Sequence, residues 1–454
     1  MSQKTFYLET FGCQMNVHDS EKVRGTLIQK GYEEVSSALA AQLVLYNTCS
    51  IRDKAEQKVF SRLSSLKTQK SENAIIGVLG CVAQHKGNEI FEKAPHVSLV
   101  CGSAGYNSLS ELVDRVEAGE RRVTGLDLDV DEPFETPLTQ RDKPHRAFIT
   151  VIEGCNKSCT YCVVPFTRGP ERSRSLDSII HETQQLTASG YTEIQLLGQN
   201  VSSYRDPTAA AWSFAQLLTA VGKVPAVQRV RFTTSHPQTF SPDIIRAIDS
   251  ELTLCDHIHL PVQSGSTTVL ERMQREYTRE QYLTIVTEIK QARRKIALST
   301  DIIVGFPGET EADFDETLSL LEDVQYDSVF SFKYSPRAGT AAIQYEDEVP
   351  EEEKSRRLII LQEMQRRIQQ RNNERHIDTE KQVLVEGRRT KFDQWIGRTT
   401  QNRVLNFTAK PDDTEDLLGS YCRVRVTATG ANSLTGEIIE RCAPTPANQL
   451  RILQ

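Results

Sequence analysis

Apolar and polar positions change rhythm several times along the chain. Between residues 3 and 125, short apolar runs alternate with stretches of helical period. Thr5–Thr10, Gln42–Tyr46, Ala74–Leu79 and Val97–Val100 read as strands. Helical patterns run from the N-cap candidates Asp19 and Ser20 to Gly31, and from about Ile51 to Lys67. Strands separated by helices of this length predict a doubly wound parallel sheet. Residues 126–146, which include Asp131, Pro133, Pro137 and Pro144, are acidic, lack a period and predict a linker. From Ala147 the strand–helix alternation returns and repeats six times, with strands at 147–152, 193–198, 227–233, 257–261, 297–304 and 328–334. Helices such as Leu176–Thr187, Tyr282–Arg293 and Ala312–Asp323 lie between them. Six units are too few for a closed eight-unit barrel, so an open, partial barrel is expected over 147–378. Pro350, followed by Glu351, Glu352 and Glu353, opens a long helix whose charges suit the helix dipole. Its stripe of Leu361, Met364 and Ile368 is a packing face. Residues 379–445, rich in Val, Arg, Thr and Gly, predict a small β-barrel or sandwich, and 446–454 a loose tail. The fold class is therefore α/β with a small C-terminal β module.

Composition narrows the partners. A length of 454 residues agrees with about three domains. With 54 Lys+Arg against 61 Asp+Glu, the net charge of −7 speaks against generic nucleic-acid binding over the whole surface. No apolar run approaches the ~18 residues of a spanning helix. Met1–Glu9 lacks a basic region followed by an apolar one, so no signal or transit peptide and a cytoplasmic location are expected.

Ten cysteines, at 13, 49, 81, 101, 155, 159, 162, 255, 422 and 442, carry the candidate chemistry. Without an export signal, ligation or redox use is favoured over disulfides. Gly154-Cys155-Asn156-Lys157-Ser158-Cys159-Thr160-Tyr161-Cys162 packs three thiols into one loop after the first barrel strand. Such a loop can wrap one corner of an iron–sulfur cubane and leave its fourth iron open, since full protein ligation takes four Cys. Lys157 would offset thiolate charge. A closed zinc site needs a fourth ligand, and the loop holds none. Cys13, Cys49 and Cys81 are far apart in sequence, yet each follows a predicted parallel strand. In a doubly wound sheet those strand ends converge on one edge, so the three thiols would meet, or else simply pack. Cys101 also follows a strand and could be a fourth ligand, although a core thiol is favoured. Cys255, Cys422 and Cys442 have no ligand neighbours and are expected to pack.

The 155–162 loop resembles the Cys-x3-Cys-x-aromatic-Cys signature of the radical S-adenosylmethionine (SAM) superfamily, with Tyr161 at the aromatic position. The resemblance implies a 4Fe–4S cluster on Cys155, Cys159 and Cys162 whose open iron binds SAM. It also implies SAM contacts by Tyr161, by Gln199 and Asn200 of Leu197-Gly198-Gln199-Asn200, and by Gly305 in the adenine-contacting segment Ile303–Glu309. Taken with the N-terminal cysteines, the chain resembles the methylthiotransferase family from about residue 5 to 445. That family combines an N-terminal domain carrying a second 4Fe–4S cluster, a radical SAM barrel and a C-terminal TRAM domain. Several segments resemble the branch acting on tRNA isopentenyladenosine: Phe11-Gly12-Cys13-Gln14-Met15-Asn16, Asn47-Thr48-Cys49-Ser50-Ile51-Arg52, Gly80-Cys81-Val82-Ala83, Cys162–Gly169, Thr233–Pro237 and His259–Ser266. The ribosomal-protein branch typically has Pro-Lys-Asn in place of Gln14-Met15-Asn16. Tyr277 stands where a His is common, Thr267-Thr268 replaces an Asp-Arg pair, and Ala338 and Ala341 replace prolines.

The resemblance implies a two-stage reaction. Cys13, Cys49 and Cys81 would hold the auxiliary cluster, with an extra sulfur that one SAM methylates. A second SAM would yield the deoxyadenosyl radical that removes hydrogen from carbon 2 of isopentenylated adenine at tRNA position 37. A low-potential donor such as flavodoxin or ferredoxin would supply electrons to a monomer. Methylthiolation of threonylcarbamoyladenosine tRNA or a ribosomal protein is the alternative within enzymes, and a non-catalytic iron–sulfur RNA-binding scaffold the alternative outside them. His236, His257 and His259, near strand ends, are expected to make structural hydrogen bonds. Gly305 and Gly308 do not have P-loop spacing. Within the acidic chain, residues 381–410 hold seven basic side chains (Lys381, Arg388, Arg389, Lys391, Arg398, Arg403, Lys410) against Glu386 and Asp393. Arg388, Arg389, Lys391, Arg398 and Arg403 are the expected RNA contacts.

Overall fold

In the computed structural model, residues 3–50, 53–69, 74–128, 139–346, 349–409 and 416–442 are described. The first apolar run becomes β1 (Lys4–Phe11), followed by α1 (Gln14–Gln29), β2 (Tyr32–Glu34), β3 (Leu43–Thr48), α2 (Asp53–Gln69), β4 (Ile75–Gly80), α3 (Cys81–Lys86), α4 (Glu89–Lys93), β5 (Leu99–Cys101), α5 (Leu109–Glu117) and β6 (Val123–Gly125). The six strands form one parallel sheet in the order β2-β1-β3-β4-β5-β6. The order reverses direction between β1 and β3, the switch point at which such sheets bind ligands. Every residue of β3 is buried, as a strand covered by helices on both faces requires. The strands β2 and β6 escape the apolar-run pattern because each has three residues, of which one is buried.

The first helix begins earlier than its polar caps suggested. Cys13 is the N-cap, in extended conformation, and its backbone N and Sγ both lie 3.3 Å from Asn16 Oδ1. Asp19 and Ser20 are instead buried within α1. In the expected linker, residues 129–138 (with Asp131, Pro133 and Pro137) lie outside the described residues, as do Ile51, Arg52 and the tail. After it, Arg141 donates to Glu182 and to the Phe148 carbonyl, tying the chain to the next domain.

The second unit runs β7 (Arg146–Thr150), β8 (Ile152–Glu153), α6 (Val164–Arg168), β9 (Arg172–Ser173), α7 (Leu176–Ala188), β10 (Glu193–Leu197), α8 (Phe214–Gly222), β11 (Arg229–Phe232), α9 (Pro242–Ser250), β12 (His257–His259), α10 (Thr267–Arg272), α11 (Arg279–Lys290), β13 (Ala297–Val304), α12 (Glu311–Val324), β14 (Ser328–Lys333) and α13 (Glu351–Glu374). The strands β7, β10 and β11 form one parallel sheet, and β12, β13 and β14 another. Backbone bonds from Val230 N to Thr253 O and from Cys255 N to Val230 O join them into one curved wall. No pairing between β7 and β14 occurs among the described residues, so the barrel is open. The expected strand over 147–152 breaks at Val151, and β8 leaves the barrel to pair with β9. Leu361 and Ile368 of α13 are buried in the barrel's core and Met364 packs against it, as the stripe predicts.

The third unit is a closed barrel, not a sandwich: β15 (Glu380–Arg389), β16 (Gln394–Thr399), β17 (Val404–Thr408), β18 (Tyr421–Thr429) and β19 (Leu434–Cys442). Val383, Val385, Leu405, Phe407, Val424 and Val426 fill it. It docks on the open barrel through arginines of β11. Val230, between them, packs in the core, so Arg229 and Arg231 face the other way. Arg229 donates to the carbonyls of Arg398 (2.8 Å) and Gln382 (3.0 Å), and Arg231 to that of Thr399 (2.7 Å) and to Glu193 (3.0 Å). Among the described residues no helix is long and apolar enough to cross a membrane.

Breaking a buried ion pair from one side strands its partner, at a cost of about 3–5 kcal/mol. Arg231 and Glu193 are both buried. Arg231→Ala is therefore expected to lose stability of that order, read as a lower thermal unfolding midpoint.

Candidate functional site

The edge that carries three cysteines is built by strand register. Phe11 of β1 lies opposite Thr48 of β3, and Thr48 opposite Gly80 of β4. The next residues along each strand are Gly12-Cys13, Cys49 and Cys81, so the three thiols leave the sheet at nearly the same height. Gly12 is obligatory here. Its φ is +146°, and an added Cβ would lie 2.5 Å from the Cβ of Cys49. Cys101 belongs to the neighbouring strand, but it pairs with Leu79, two residues before Cys81. At ~3.3 Å per residue it sits below the edge, inside the sheet. It is fully buried in the apolar core, where burial alone pushes its thiol up to about 12.

Electrostatics separate the three thiols. Cys13 is held down to about 6, first by a hydrogen bond from Cys49, then by backbone donors and the charge of Arg168, against burial. Burial raises Cys81, opposed by Arg168. A second layer orders the edge: the side-chain nitrogen of Asn47 donates to Ser20 Oγ and to the Asn16 carbonyl, both at 2.9 Å. Arg168, buried at the end of α6, pairs with Asp19 of α1 and with Glu153 of β8, the latter at 2.9 Å.

The second triad occupies the loop between β8 and α6. At Gly154, with φ +79°, a Cβ would lie 2.0 Å from the Pro170 carbonyl, so the loop turns only with glycine. The loop is pinned by Thr160, whose N donates to the Met273 carbonyl and whose Oγ1 donates to that of Arg272. Burial and the neighbouring Cys159 push Cys162 up to about 12, and Cys155 is raised by burial. The cation that touches this triad is Arg275, 3.3 Å from both Cys159 Sγ and Tyr161 Oη. Lys157 is bonded to Glu276 and Gln238, and its backbone N–H and its charge also favour the Cys155 thiolate, as expected, against the larger effect of burial.

A cavity of about 630 Å³ joins the domains. Cys13, Cys49, Cys81 and Arg168 form one end, and His257, His259, Asp301, Phe330 and Phe332 line the barrel interior. Arg398, Asn402, Arg403 and Leu434 of the small barrel close the other end. Both histidines bond Ser299 Oγ at 3.0 Å, the structural role expected of them, while facing the cavity. Gln14, next to Cys13, accepts at Oε1 from Gln195 (2.9 Å) and Thr233 (3.2 Å), which leaves its amide nitrogen for the cavity.

Among the expected SAM contacts, Gln199 lines this cavity and accepts from Gly154 N at 2.6 Å, linking it to the thiol loop. Tyr161 packs edge-on to Phe306. Asn200 accepts from His236 N at 3.0 Å, and its side-chain nitrogen is buried without a partner. Gly305 has φ +71° and packs against Lys354 of α13. The expected basic patch is divided. Arg388, Arg389 and Lys391 gather over Trp395 and Phe392 on the β15–β16 hairpin. Arg398 bonds Glu386, and Arg403 is turned into the interface against Asp327 and Asn373. Lys410 lies outside the described residues. Sequence reasoning did not single out Asp19, Asn47, Glu153, Arg168 or Arg275 as site residues. Asn47 and Arg168 sit in the quoted motifs, whereas Arg275 is brought to the thiols by tertiary folding alone.

Cysteine thiolates are the donors that hold iron–sulfur clusters, and each of the two sites offers three of them. Among the described residues no group of three or more His, Cys, Asp or Glu side chains is arranged for a single metal ion.

Residues 5–102 match the uncharacterized protein family UPF0004, residues 149–321 the radical SAM superfamily and residues 375–439 the TRAM domain. The chain is 61% identical to a tRNA-2-methylthio-N(6)-dimethylallyladenosine synthase of Solibacter usitatus (strain Ellin6076), over 96% of this chain and 98% of the relative. It is 58% identical to one of Koribacter versatilis (strain Ellin345), again over 96% and 98%. The radical S-adenosylmethionine methyltransferase TsrM from Kitasatospora setae, solved with cobalamin and a 4Fe-4S cluster bound, is similar with a TM-score of 0.54. That match covers 75% of this chain and 74% of that one at 14% identity, a likeness of fold.

His236 gives a pH signature. Burial, then the charges of Arg275 and Lys157, hold it down to about 2. The unfolded chain takes a proton there below about 6.5, and the folded chain does not. Its contribution to stability is full above that value and declines as pH falls below it. Urea midpoints measured across this range are expected to fall less steeply in His236→Gln. Gly12→Ala is expected to displace Cys49 and lower iron bound per chain, read by iron assay after anaerobic reconstitution.

Proposed function

The chain belongs to the family of tRNA-2-methylthio-N(6)-dimethylallyladenosine synthases, and from that premise we propose how its own residues carry the reaction. It is a radical SAM transferase that replaces the hydrogen on carbon 2 of N(6)-isopentenyladenosine in tRNA, at position 37, by a methylthio group. The observation that carries the reading is the cavity: it is lined by Cys13, Cys49 and Cys81 and by Gln199, which accepts from Gly154 at the start of the loop that holds Cys155, Cys159 and Cys162, although those three do not line it.

We propose that each triad holds one 4Fe–4S cluster, giving two per chain, with divisions at 3–125, 126–146, 147–378, 379–445 and 446–454. When bound, the clusters and SAM supply one-electron reduction, a methyl donor and transferable sulfur, none of which a side chain can provide. Cys155, Cys159 and Cys162 would hold one cluster and Cys13, Cys49 and Cys81 the other; because full protein ligation takes four Cys, the first would keep a place for SAM and the second for sulfur. Arg275 offsets charge at the triad of Cys155, Cys159 and Cys162 and fixes Tyr161. Tyr161, Gln199, Asn200 and Gly305 are the proposed SAM contacts. Phe330, Phe332 and Leu434 give the cavity an apolar wall that suits an isopentenyl group. Carbon 2 of adenine lies between two acceptor nitrogens, and the amide nitrogen of Gln14 beside Cys13 is placed to donate to one of them.

The basic hairpin of Arg388, Arg389 and Lys391, with Phe392 exposed, supports RNA contact there by charge and stacking. We further propose Arg398 as a contact at the cavity rim, a cytoplasmic location, action as a monomer, and flavodoxin or ferredoxin as donor.

Nucleoside mass spectrometry of tRNA from cells lacking the gene is expected to show no 2-methylthio product; normal content overturns the reading. Cys13→Ala, Cys49→Ala and Cys81→Ala are expected to abolish methylthiolation, and loss of Cys155, Cys159 or Cys162 to abolish deoxyadenosine formation from SAM. Cys101→Ser is expected to keep the activity, since its thiol lies in the sheet core.

A further inference from the structure

The helix α6 starts two residues after Cys162, the last thiol of the barrel loop, and ends with Arg168 against the other triad. Arg168 is buried, and its environment is a chain of alternating charges. Its guanidinium pairs with Asp19, which comes from α1 just beyond Cys13, and with Glu153, which also receives Arg172 at 3.2 Å. These contacts hold the Arg168 head group at the cavity wall formed by Cys13, Cys49 and Cys81. Its charge acts on both Cys81 and Cys13. No other Lys or Arg lines that end of the cavity among the described residues. A buried cation that shares a cavity wall with three thiols, and whose charge acts on two of them, does more than join two domains. It stabilises whichever redox state of the site carries more negative charge, because protein-held charges and hydrogen bonds to sulfur tune such sites.

We propose that Arg168 is a positioning residue that sets the charge of the Cys13, Cys49 and Cys81 site, so that the reduction potential of a cluster held there follows the balance between its guanidinium and the carboxylates of Asp19 and Glu153. The inference rests on the reading that these thiols hold a cluster. It assigns to one residue, at the far end of the helix that leaves the SAM loop, control over the sulfur-bearing site. The sign follows from charge. Replacing the guanidinium by a neutral group disfavours the reduced, more negative state and lowers the midpoint. Neutralising Asp19 leaves Arg168 less compensated and raises it.

The test uses the full chain with Cys155→Ala, Cys159→Ala and Cys162→Ala, so that the N-terminal triad alone can hold a cluster. After anaerobic reconstitution, iron and sulfide are measured, and the midpoint is read by redox titration followed by electron paramagnetic resonance. With iron content kept, Arg168→Gln is expected to shift the midpoint to more negative values, Asp19→Asn to more positive ones, and Arg168→Lys to fall between Arg168→Gln and the parent. A strut joining two domains would not shift the two variants in opposite directions. Unchanged midpoints in Arg168→Gln and Asp19→Asn, with iron retained, overturn the inference. If Arg168→Gln no longer holds iron, Asp19→Asn decides alone: an unchanged or lowered midpoint overturns the inference. Absence of iron from the parent triple-Ala protein overturns the reading of the triad itself.

Discussion

The rungs that pair Phe11 with Thr48 and Thr48 with Gly80 are the constraint on which the site depends. A parallel sheet buried on both faces has little freedom to slip, because a shift of one residue exchanges the two faces of every strand. The buried run of β3 therefore holds its neighbours in register, and the thiols that follow each strand inherit that height. Cys101 shows the strength of the constraint. It has the same residue type and also ends a strand, but pairing with Leu79 leaves it in the apolar core.

The domains then meet through buried charge rather than through an apolar face alone. Asp19, Arg168, Glu153 and Arg172 form one such seam between the parallel sheet and the open barrel. Glu193, Arg229 and Arg231, with the carbonyls of Gln382, Arg398 and Thr399, form another between the open barrel and the small one. Charges taken out of water must be paired or hydrogen-bonded, so each seam admits few relative placements of its partners. The cavity lies between the two seams and borrows walls from all three units. Shielding from water and definition of shape thus come from the same contacts. The small barrel takes part twice: Arg403 is held in the interface, while the Arg388, Arg389 and Lys391 hairpin stays on the surface with Phe392.

Much of this was legible in the sequence. The apolar runs reported the main strands because a buried parallel strand is nearly continuous in apolar residues. The count of strand–helix units reported an open barrel, and three thiols within one loop reported a ligand set, since local spacing is a local property. What the pattern could not carry was short or shared. Strands β2 and β6 have too few residues for a period, and the break at Val151 between β7 and β8 has no compositional mark. The start of α1 moved because Cys13 itself caps the helix, displacing the better-known caps Asp19 and Ser20 into its interior.

Sequence alone determined the chemistry: which thiols exist, which of them follow strands, and the family they resemble. Tertiary structure decided the electrostatics. Arg168 and Arg275 reach the two triads from elsewhere in the fold, while Lys157, within the loop itself, acts on Cys155 and pairs with Glu276. It also divided the basic run of the small barrel between surface and interface. The reason is physical. Spacing along the chain fixes which side chains can share a loop, but the charge a sulfur feels depends on distances through space between residues far apart in sequence, and those exist only once the sheets and barrels have packed.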